Sequence, residues 1–439
     1  MALGGGIFLT QNRTLPGSYL NFVSAARASA ALSERGVATM PLPLDWGPEG
    51  QIVSITAGEF QKDSLKLLGY PYTHEKLKGL RDLFQNIRQA YLFRLNAGGA
   101  KASNVYGTAR WPGVRGNALK LVIEAGEGST ESETVYDVST WLDDALVETQ
   151  KGVKTAADLV DNDFVVFKED AALSLTAGAA FTGGTNGEVT DGAYQIYLDK
   201  VEPYSFNTMG CLSTGEAVKG LLANFTKRLR DECGVKFQCV LFRYPQADYE
   251  GIISVENGLE GAKDDPGAVY WTTGAEAGCP VNKSRTNAKY GGEYAIDTDY
   301  TQLQLEDGLK AGKLLFHRVG DEVRLLEDVN TFVSATGDKS ADFSSNQTVR
   351  VLDQIGNDIA VLFNTKYLGQ VPNDNAGRVS LWADIVKHHQ ELQTLRAIQN
   401  FTSEHVTVEA GDSKKAVVVT DHVEPVSAMA QLYMTVIVE

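Results

Sequence analysis

The sequence predicts a multidomain protein of mixed α/β and α+β class, with a central α/β sheet domain, an inserted β-sandwich or barrel domain, an α+β C-terminal domain and extended terminal arms. Its 439 residues allow about three domains of ~150 residues each. Helix and strand patterns alternate on both sides of a stretch, residues 98–182, that contains only short strand patterns between turns. The first thirty or so residues lack any sustained period, and the chain ends in a strand pattern with alternating apolar side chains.

Residues 1–28 are predicted to form an N-terminal arm, because only a short apolar alternation, at Tyr19, Leu20, Phe22 and Val23, interrupts a glycine-punctuated sequence. Residues 29–97 are predicted to form a small α/β domain. Its strand patterns cover 37–40, 51–55 and 90–95, and its helix patterns cover 58–68 and a segment that follows Thr73 as the predicted N-cap.

Residues 98–182 are predicted to form the inserted β domain. Glycine, aspartate and asparagine clusters separate four short strand patterns, at 119–123, 134–138, 164–167 and 173–175. Because this turn-rich stretch interrupts two α/β regions and ends at the glycine-rich segment 183–187, we expect a separable domain on the outer surface.

Residues 183–335 are predicted to form the central α/β domain. Helix patterns at 194–201 and 214–229 alternate with strand patterns at 208–212 and 237–242. The second strand pattern is continuously apolar, which is typical of a parallel strand buried on both faces. A hairpin is predicted at 313–326, with its turn at Gly320 and Asp321.

Residues 336–425 are predicted to form the α+β C-terminal domain, with long helices at 346–367 and 379–398 and a strand at 416–420. Residues 426–439 are predicted to form a C-terminal arm. Its side chains alternate, so that a strand there has one apolar face. That face consists of Leu432, Met434, Val436 and Val438.

The composition excludes several classes of protein. Forty Lys and Arg residues against 56 Asp and Glu residues give a net charge of −16, whereas non-specific nucleic-acid binding needs a cationic surface. No apolar run approaches the ~20 residues of a membrane-spanning helix, and the first residues lack the basic segment of a signal peptide. We therefore expect no direct nucleic-acid contact, no membrane insertion and no secretion by a signal peptide.

Two segments approach catalytic motifs without matching them. Residues 308–314 have the wrong glycine spacing for a phosphate-binding loop and lack the Ser or Thr after Lys313. Residues 210–215 miss the GxSxG spacing of a nucleophile elbow by one residue, and Ser213 or Thr214 is more simply a helix N-cap. The sequence therefore predicts no catalytic residues and no enzyme.

The sequence also predicts no metal site and no cofactor. The four cysteines form no CxxC pair and are predicted to be buried, reduced thiols. His388 and His389, with Glu391, lack the spacing of a zinc motif and are predicted to be solvated residues of a helix face. The acidic pairs at 264–265 and at 297 and 299 are predicted to be turn residues.

Several segments, in this order, resemble one known family. They are residues 15–19, 35–42 with 45–48, 181–187, 325–331, 349–353 and 423–436. In order and spacing these motifs resemble those of contractile phage tail sheath proteins of the Gram-positive myophage or defective-prophage type, and the resemblance covers the whole chain.

The resemblance implies a structural subunit that polymerises helically around the tail tube and contracts to drive the tube through the host envelope for DNA ejection. It implies a central domain of subtilisin-like topology without catalysis. The expected partners are other copies of the chain, the tail tube protein, and the baseplate and tail terminator proteins. Assembly is expected in the host cytoplasm, and the product is the tail of a virion or phage-like particle.

The family's terminal arms join neighbouring subunits as strands, which makes the two apolar alternations the expected inter-subunit contacts. They comprise Tyr19, Leu20, Phe22, Val23, Leu432, Met434, Val436 and Val438. Lys387, Glu391 and Arg396, on the helix predicted at 379–398, are candidates to face the tube. Two alternatives stay open: an α/β hydrolase or nucleotide-binding enzyme, and the sheath of a bacterial secretion or toxin-delivery system.

Overall fold

The computed structural model describes residues 32–127, 129–130 and 133–438. The chain divides into two compact units. The large unit comprises Glu34–Gly356 together with the chain from Pro425 onward, and the small unit comprises Asn357–Glu424 with residues 32–33. The chain passes from the large unit to the small unit inside one helix, between Gly356 and Asn357.

The first segment of the large unit alternates strands and helices. It contains β1 (Val37–Leu42), β2 (Ile52–Thr56), α1 (Ala57–Leu68), α2 (Lys78–Phe84) and β3 (Gln89–Arg94). Thr56 and Glu59 form a capping box at the start of α1, and Gly69 ends that helix in the left-handed conformation. The N-cap predicted at Thr73 is wrong, because His74 instead caps a 3₁₀ turn, Glu75–Leu77, that precedes α2.

The next segment consists of short antiparallel strands. It contains β4 (Gly107–Ala109), β5 (Leu119–Ala125), β6 (Tyr136–Leu142), β7 (Ala145–Val153), β8 (Val165–Phe167) and β9 (Thr176–Ala180). A four-stranded sheet has the order β7-β6-β5-β9, and β4 pairs with β8. The strand predicted at 173–175 is wrong in position, because the chain enters the sheet only at Thr176. Strand β7 has no counterpart in the prediction, because most of its side chains are exposed.

The core of this β-rich segment includes residues from outside it. Trp46, in the loop after β1, is fully buried there and stacks on Phe164 with ring centroids 5.8 Å apart. Its indole nitrogen donates a hydrogen bond to the Lys66 carbonyl at 3.1 Å. The β-rich segment and the first α/β segment therefore share buried apolar surface, and removing residues 98–182 would expose an indole ring.

The rest of the large unit returns to alternating helices and strands. It contains α3 (Asp191–Val201), β10 (Thr208–Cys211), α4 (Glu216–Lys227), β11 (Gln238–Phe242), β12 (Ile252–Val255), α5 (Ala268–Gly278), α6 (Gln302–Lys310), β13 (Lys313–Leu314), β14 (Phe316–Val319) and β15 (Glu322–Leu325). The N-cap predicted at Ser213 or Thr214 is wrong, because α4 begins after Gly215 without a side-chain cap. The hairpin predicted at 313–326 is shorter than expected, because β13 joins the central sheet and β14 and β15 pair with each other.

One seven-stranded sheet organises the large unit, with the order β13-β12-β11-β10-β1-β3-β2. Its pairs are parallel except for β2 with β3. Side chains of β11 alternate between two cores, with Val240 and Phe242 on the face covered by α1, α2 and α5, and Cys239 and Leu241 on the face covered by α3 and α4. The predicted class, an α/β sheet with helices on both faces within a multidomain chain, is confirmed.

The last segment contains two long helices and short strands. They are α7 (Asn346–Leu362), α8 (Asn375–Thr394), β16 (Ile398–Gln399), β17 (Val406–Ala410), β18 (Val417–Asp421) and β19 (Glu424–Pro425). The α7 helix continues into a π-helical turn, Phe363–Tyr367, so its predicted range agrees with the structure. The α8 helix starts and ends about one turn earlier than predicted, because Asp374 caps it by accepting a hydrogen bond from the Gly377 amide. In the described part of the chain, no helix is long and apolar enough to cross a membrane.

Candidate inter-subunit surface

The described chain beyond Pro425 forms no strand or helix. Its predicted apolar face is open to solvent, with exposed fractions of 84% at Leu432, 74% at Met434, 71% at Val436 and 90% at Val438. Ile437 adds an exposed apolar side chain on the opposite side, so the predicted one-sided pattern is incomplete. Among the described residues no other strand pairs with this segment, which leaves its backbone groups available to another chain.

The predicted N-terminal contacts, Tyr19, Leu20, Phe22 and Val23, lie outside the described residues. The first described residues are bound within the small unit. The Ser33 hydroxyl donates to Oδ1 of Asp358 at 2.6 Å, and the Ser33 amide donates to Oδ2 of the same carboxylate at 3.4 Å. Asp358 therefore fixes Ser33 within the small unit.

Strands β17 and β18 form a two-stranded antiparallel sheet in the small unit, in register from Val406 opposite Asp421 to Ala410 opposite Val417. Helix α8 holds this hairpin through Trp382, whose indole nitrogen donates to the Val406 carbonyl at 3.0 Å. Val418 is half exposed. A two-stranded sheet is only marginally stable by itself, and among the described residues both of its outer edges lack a strand partner. These edges are therefore suitable acceptors for further strands.

The prediction that His388 and His389 are solvated is wrong, because both side chains are fully buried. Nε2 of His388 lies 3.0 Å from Oδ2 of Asp358, and Nε2 of His389 lies 2.7 Å from Oδ2 of Asp421. The two Nδ1 atoms face each other at 3.3 Å, so one ring must donate to the other. The pair thereby connects α8 to α7 and to the end of β18.

The three tube-facing candidates do not share one helix. Lys387 is exposed on α8 and Glu391, one turn later, is half buried. Arg396 lies beyond the end of α8 at Thr394 and has a left-handed backbone, with φ of 60°. The prediction that Arg396 belongs to this helix face is therefore wrong, and Lys387 and Glu391 remain on it.

The two segments that approach catalytic motifs, residues 210–215 and 308–314, have ordinary structural roles. Ser213 Oγ accepts a hydrogen bond from the Gly215 amide at 3.2 Å, and Lys313 Nζ lies 3.3 Å from a carboxylate oxygen of Glu256. Three cysteines are buried as predicted, and burial raises the pKa of Cys211 to about 12. Cys233 is exposed, contrary to the prediction. Across residues 32–127, 129–130 and 133–438, no cluster of three His, Cys, Asp or Glu side chains could hold a metal ion.

Four family models match consecutive parts of the chain. They are the N-terminal region of tail sheath protein Gp18 domain III at residues 35–95, the phage tail sheath protein beta-sandwich domain at 96–186, the phage tail sheath protein central domain at 187–331, and the phage tail sheath C-terminal domain at 338–439.

Individual relatives agree with these matches. The Phage-like element PBSX protein XkdK of Bacillus subtilis is 30% identical over 99% of both chains. The crystal structure of the sheath tail protein of Desulfitobacterium hafniense has a TM-score of 0.82 and 37% identity, covering 94% of this chain and 97% of that one. The helical sheath of the anti-feeding prophage in its contracted state has the same fold, with a TM-score of 0.56 and 11% identity over 97% of this chain and 99% of that one.

Proposed function

The chain belongs to the phage tail sheath protein family as a structural subunit of a contractile sheath, and on that premise we propose that its C-terminal arm links neighbouring subunits by strand exchange. The sheath would polymerise helically around a tail tube and drive the tube through the host envelope when it contracts. The family relationship does not favour the hydrolase, nucleotide-binding or toxin-delivery alternatives. The role proposed for the chain is structural rather than catalytic.

The exposed apolar arm is the observation that supports strand exchange. Residues 429–438 are exposed throughout, including seven large apolar or aromatic side chains. Burying each such side chain fully is worth ~1.5–3 kcal/mol before the cost of ordering the arm. An isolated subunit gains none of this free energy, so the arm favours association with a second copy.

The proposed acceptor is the β17–β18 hairpin of a neighbouring subunit, together with that neighbour's N-terminal segment near Tyr19. Ten residues in extended conformation reach about 33 Å beyond the subunit that carries them. Main-chain hydrogen bonds would fix the direction of the added strand. Contraction would then reorient the folded bodies while each arm stays paired with its neighbour.

The further partners proposed are the tail tube, the baseplate and the tail terminator. Tube contacts must be weak and polar if the sheath is to slide during contraction, and the pair Lys387 and Glu391 offers such a surface. Arg396 stays a candidate for the same contact from the loop after α8. Assembly is proposed to occur in the host cytoplasm and to end in the tail of a virion or phage-like particle.

Truncation after Pro425 tests the proposal. The shortened chain is expected to fold, with an unchanged circular dichroism spectrum, and to sediment as a monomer. It is expected to form no tubes in electron micrographs when mixed with the tube protein, because the exchanged strand is missing. Tubes of normal appearance from the truncated chain would rule out strand exchange.

A further inference from the structure

A single side chain of the large unit holds the root of the C-terminal arm. Gln347, in the first turn of α7, is 3% exposed. Its Nε2 donates a hydrogen bond to the Val426 carbonyl at 2.8 Å, and its Oε1 accepts one from the Ala428 amide at 3.0 Å. One amide side chain thus satisfies two backbone groups of the arm at once.

The spacing of these two backbone groups is that of a strand edge. In an extended chain, the carbonyl of one residue and the amide two positions later point to the same side, as Val426 and Ala428 do here. A primary amide carries one acceptor and a donor in the same plane, so it can replace one residue of a partner strand. The side chains of the arm take no part, and Gln347 therefore recognises backbone conformation rather than sequence.

These bonds mark the boundary between the held and the released parts of the arm. Val426 is partly buried, whereas every residue from 427 to 438 is exposed. Within the described part of the chain, no hydrogen bond joins residues 429–438 to any residue outside the arm; the Tyr433 hydroxyl bonds only to Gln431. Ala428 is thus the last point at which the arm is bonded to its own subunit.

Buried polar contacts fix the first turns of α7, the helix that carries Gln347. The neighbouring Asn346 side chain donates to the Val329 carbonyl at 3.0 Å and accepts from the Gln238 side chain at 2.8 Å. Asp353, two turns further along α7, pairs with Arg230 through two hydrogen bonds at 2.6 and 2.8 Å. The first part of α7 therefore cannot shift without breaking several buried bonds.

We propose that Gln347 is a backbone clamp that sets the point and the direction in which the C-terminal arm leaves its own subunit. This proposal rests on the proposed function, because the clamp serves to present residues 429–438 to a neighbour. A strand that begins at a fixed point searches a smaller volume before pairing, which lowers the entropic cost of association. Gln347 is a positioning residue in this scheme, since it does not itself touch the neighbour.

Hydrogen–deuterium exchange of the full chain in its unassembled form tests the clamp. In the wild type the Ala428 amide is expected to exchange more slowly than the amides of 430–438. In a Gln347→Met variant its exchange is expected to rise about tenfold, because both bonds are lost while the side-chain volume stays similar. Gln347→Asn, one methylene shorter, is expected to produce the same rise and carries the test if the methionine variant does not fold.

A matched control exists elsewhere in the chain. Gln393 also bonds to backbone, accepting from the Phe401 amide at 2.7 Å and donating to the Phe401 carbonyl at 3.4 Å. Gln393→Met removes the same chemistry away from the arm and is expected to leave exchange at Ala428 unchanged. The clamp is refuted if the wild-type Ala428 amide exchanges as fast as 430–438, or if Gln393→Met raises its exchange as much as Gln347→Met.

Tube assembly separates failure of the clamp from failure of the proposed function. Truncation after Met429 keeps both bonds to Gln347 and removes the strand. Tubes formed by this chain would contradict strand exchange between subunits, but they would not affect the hydrogen–deuterium exchange result for the Ala428 amide. Gln347→Met is expected to lower the yield of tubes severalfold. If Gln347→Met raises the hydrogen–deuterium exchange of the Ala428 amide but still gives a normal yield of tubes, Gln347 does not serve to present the arm to a neighbouring subunit.

Discussion

Arg350 is completely buried in the large unit and donates through Nη2 to two carboxylates, Glu276 and Asp328. In the described structure one oxygen of each carboxylate lacks a hydrogen-bond partner. Burial, together with the charge of Asp328, raises the pKa of Glu276 to about 7, although Arg350 opposes the shift. The guanidinium lowers the pKa of Asp328 against the effect of burial. The Arg350 guanidinium thus stabilises the ionised form of Asp328 well and that of Glu276 only in part.

This arrangement predicts that the free energy of unfolding depends on pH through Glu276, and that Glu276→Gln removes this dependence. Between pH 4.5, the ordinary pKa of a glutamate, and about pH 7, the folded state keeps a proton on Glu276 that the unfolded state releases, so this group's contribution to stability falls as the pH rises. Gln cannot ionise. We expect the free energy of unfolding of Glu276→Gln, relative to wild type, to increase by about 1–3 kcal/mol from pH ~5 to pH ~8. Urea unfolding at several pH values measures it, and parallel profiles would contradict the assignment.

At the scale of elements, helices α2 and α5 cross with their backbones in contact. A Cβ atom on Gly274 would lie 2.2 Å from the Leu83 carbonyl oxygen, and one on Gly278 would lie 1.7 Å from that of Asn86. Both distances are shorter than any real contact, so only glycine allows this approach. The crossing brings Leu83 and Trp271 into the same core.

We therefore expect Gly274→Ala to lower the free energy of unfolding by about 1–3 kcal/mol, because the added methyl group forces two helix backbones apart. Gly58→Ala is the matched control. Gly58 is an exposed residue of α1 with no atom within 4 Å of its would-be Cβ, so alanine there should raise stability by about 0.5–1 kcal/mol. Equal effects of the two substitutions in thermal unfolding would contradict the packing argument.

Sequence patterns predicted the elements whose burial is periodic. The helix carrying Tyr194, Tyr197 and Leu198 follows this rule, whereas the strand at Phe237 to Phe242 was predicted from a continuous apolar run. The structure places both as expected. Strand β7 was not predicted, because it lies at a sheet edge and most of its side chains are exposed. Periodicity describes one segment at a time and fails where a strand is fixed by its neighbours rather than by a core.

The buried polar contacts of the candidate surface could not be predicted in this way. His388 and His389 are buried because their partners, Asp358 and Asp421, come from distant parts of the sequence. Gln347 bonds to backbone 79 and 81 positions away, and no residue of the arm signals the contact. The available signal was the run of polar residues 346–348 at the start of an amphipathic helix, and all three are buried.

For the whole molecule, the alternation in the C-terminal arm predicts that two adjacent residues respond differently to the same substitution. An added strand packs one face on the acceptor and leaves the other in water. Met434→Asp is expected to abolish tube formation, because it buries a charge in the interface. Thr435→Asp, on the opposite face, is expected to leave tube yield within about twofold of wild type.

Both variants are expected to retain the unfolding midpoint of the wild-type monomer, because both residues are exposed to solvent in the described structure. Electron microscopy of tubes and light scattering of assembly give the comparison. Loss of assembly by both variants to the same degree would show that the arm does not bind as a strand with one buried face.

The β-rich insertion also affects the order in which the central sheet can form. Strand β1 must meet β10 across a long loop: the amides of Gly36 and Val37 donate to the side chain of Asn207, which is 171 positions beyond Gly36. Closing a loop costs more as it lengthens. The folded insertion shortens it, because its two ends are bonded together, the Thr185 amide to the Ala100 carbonyl at 3.1 Å and the Gly187 amide to the Asn96 carbonyl at 3.2 Å. We therefore expect the folded insertion to bring the two halves of the parallel sheet within reach of each other before they pair.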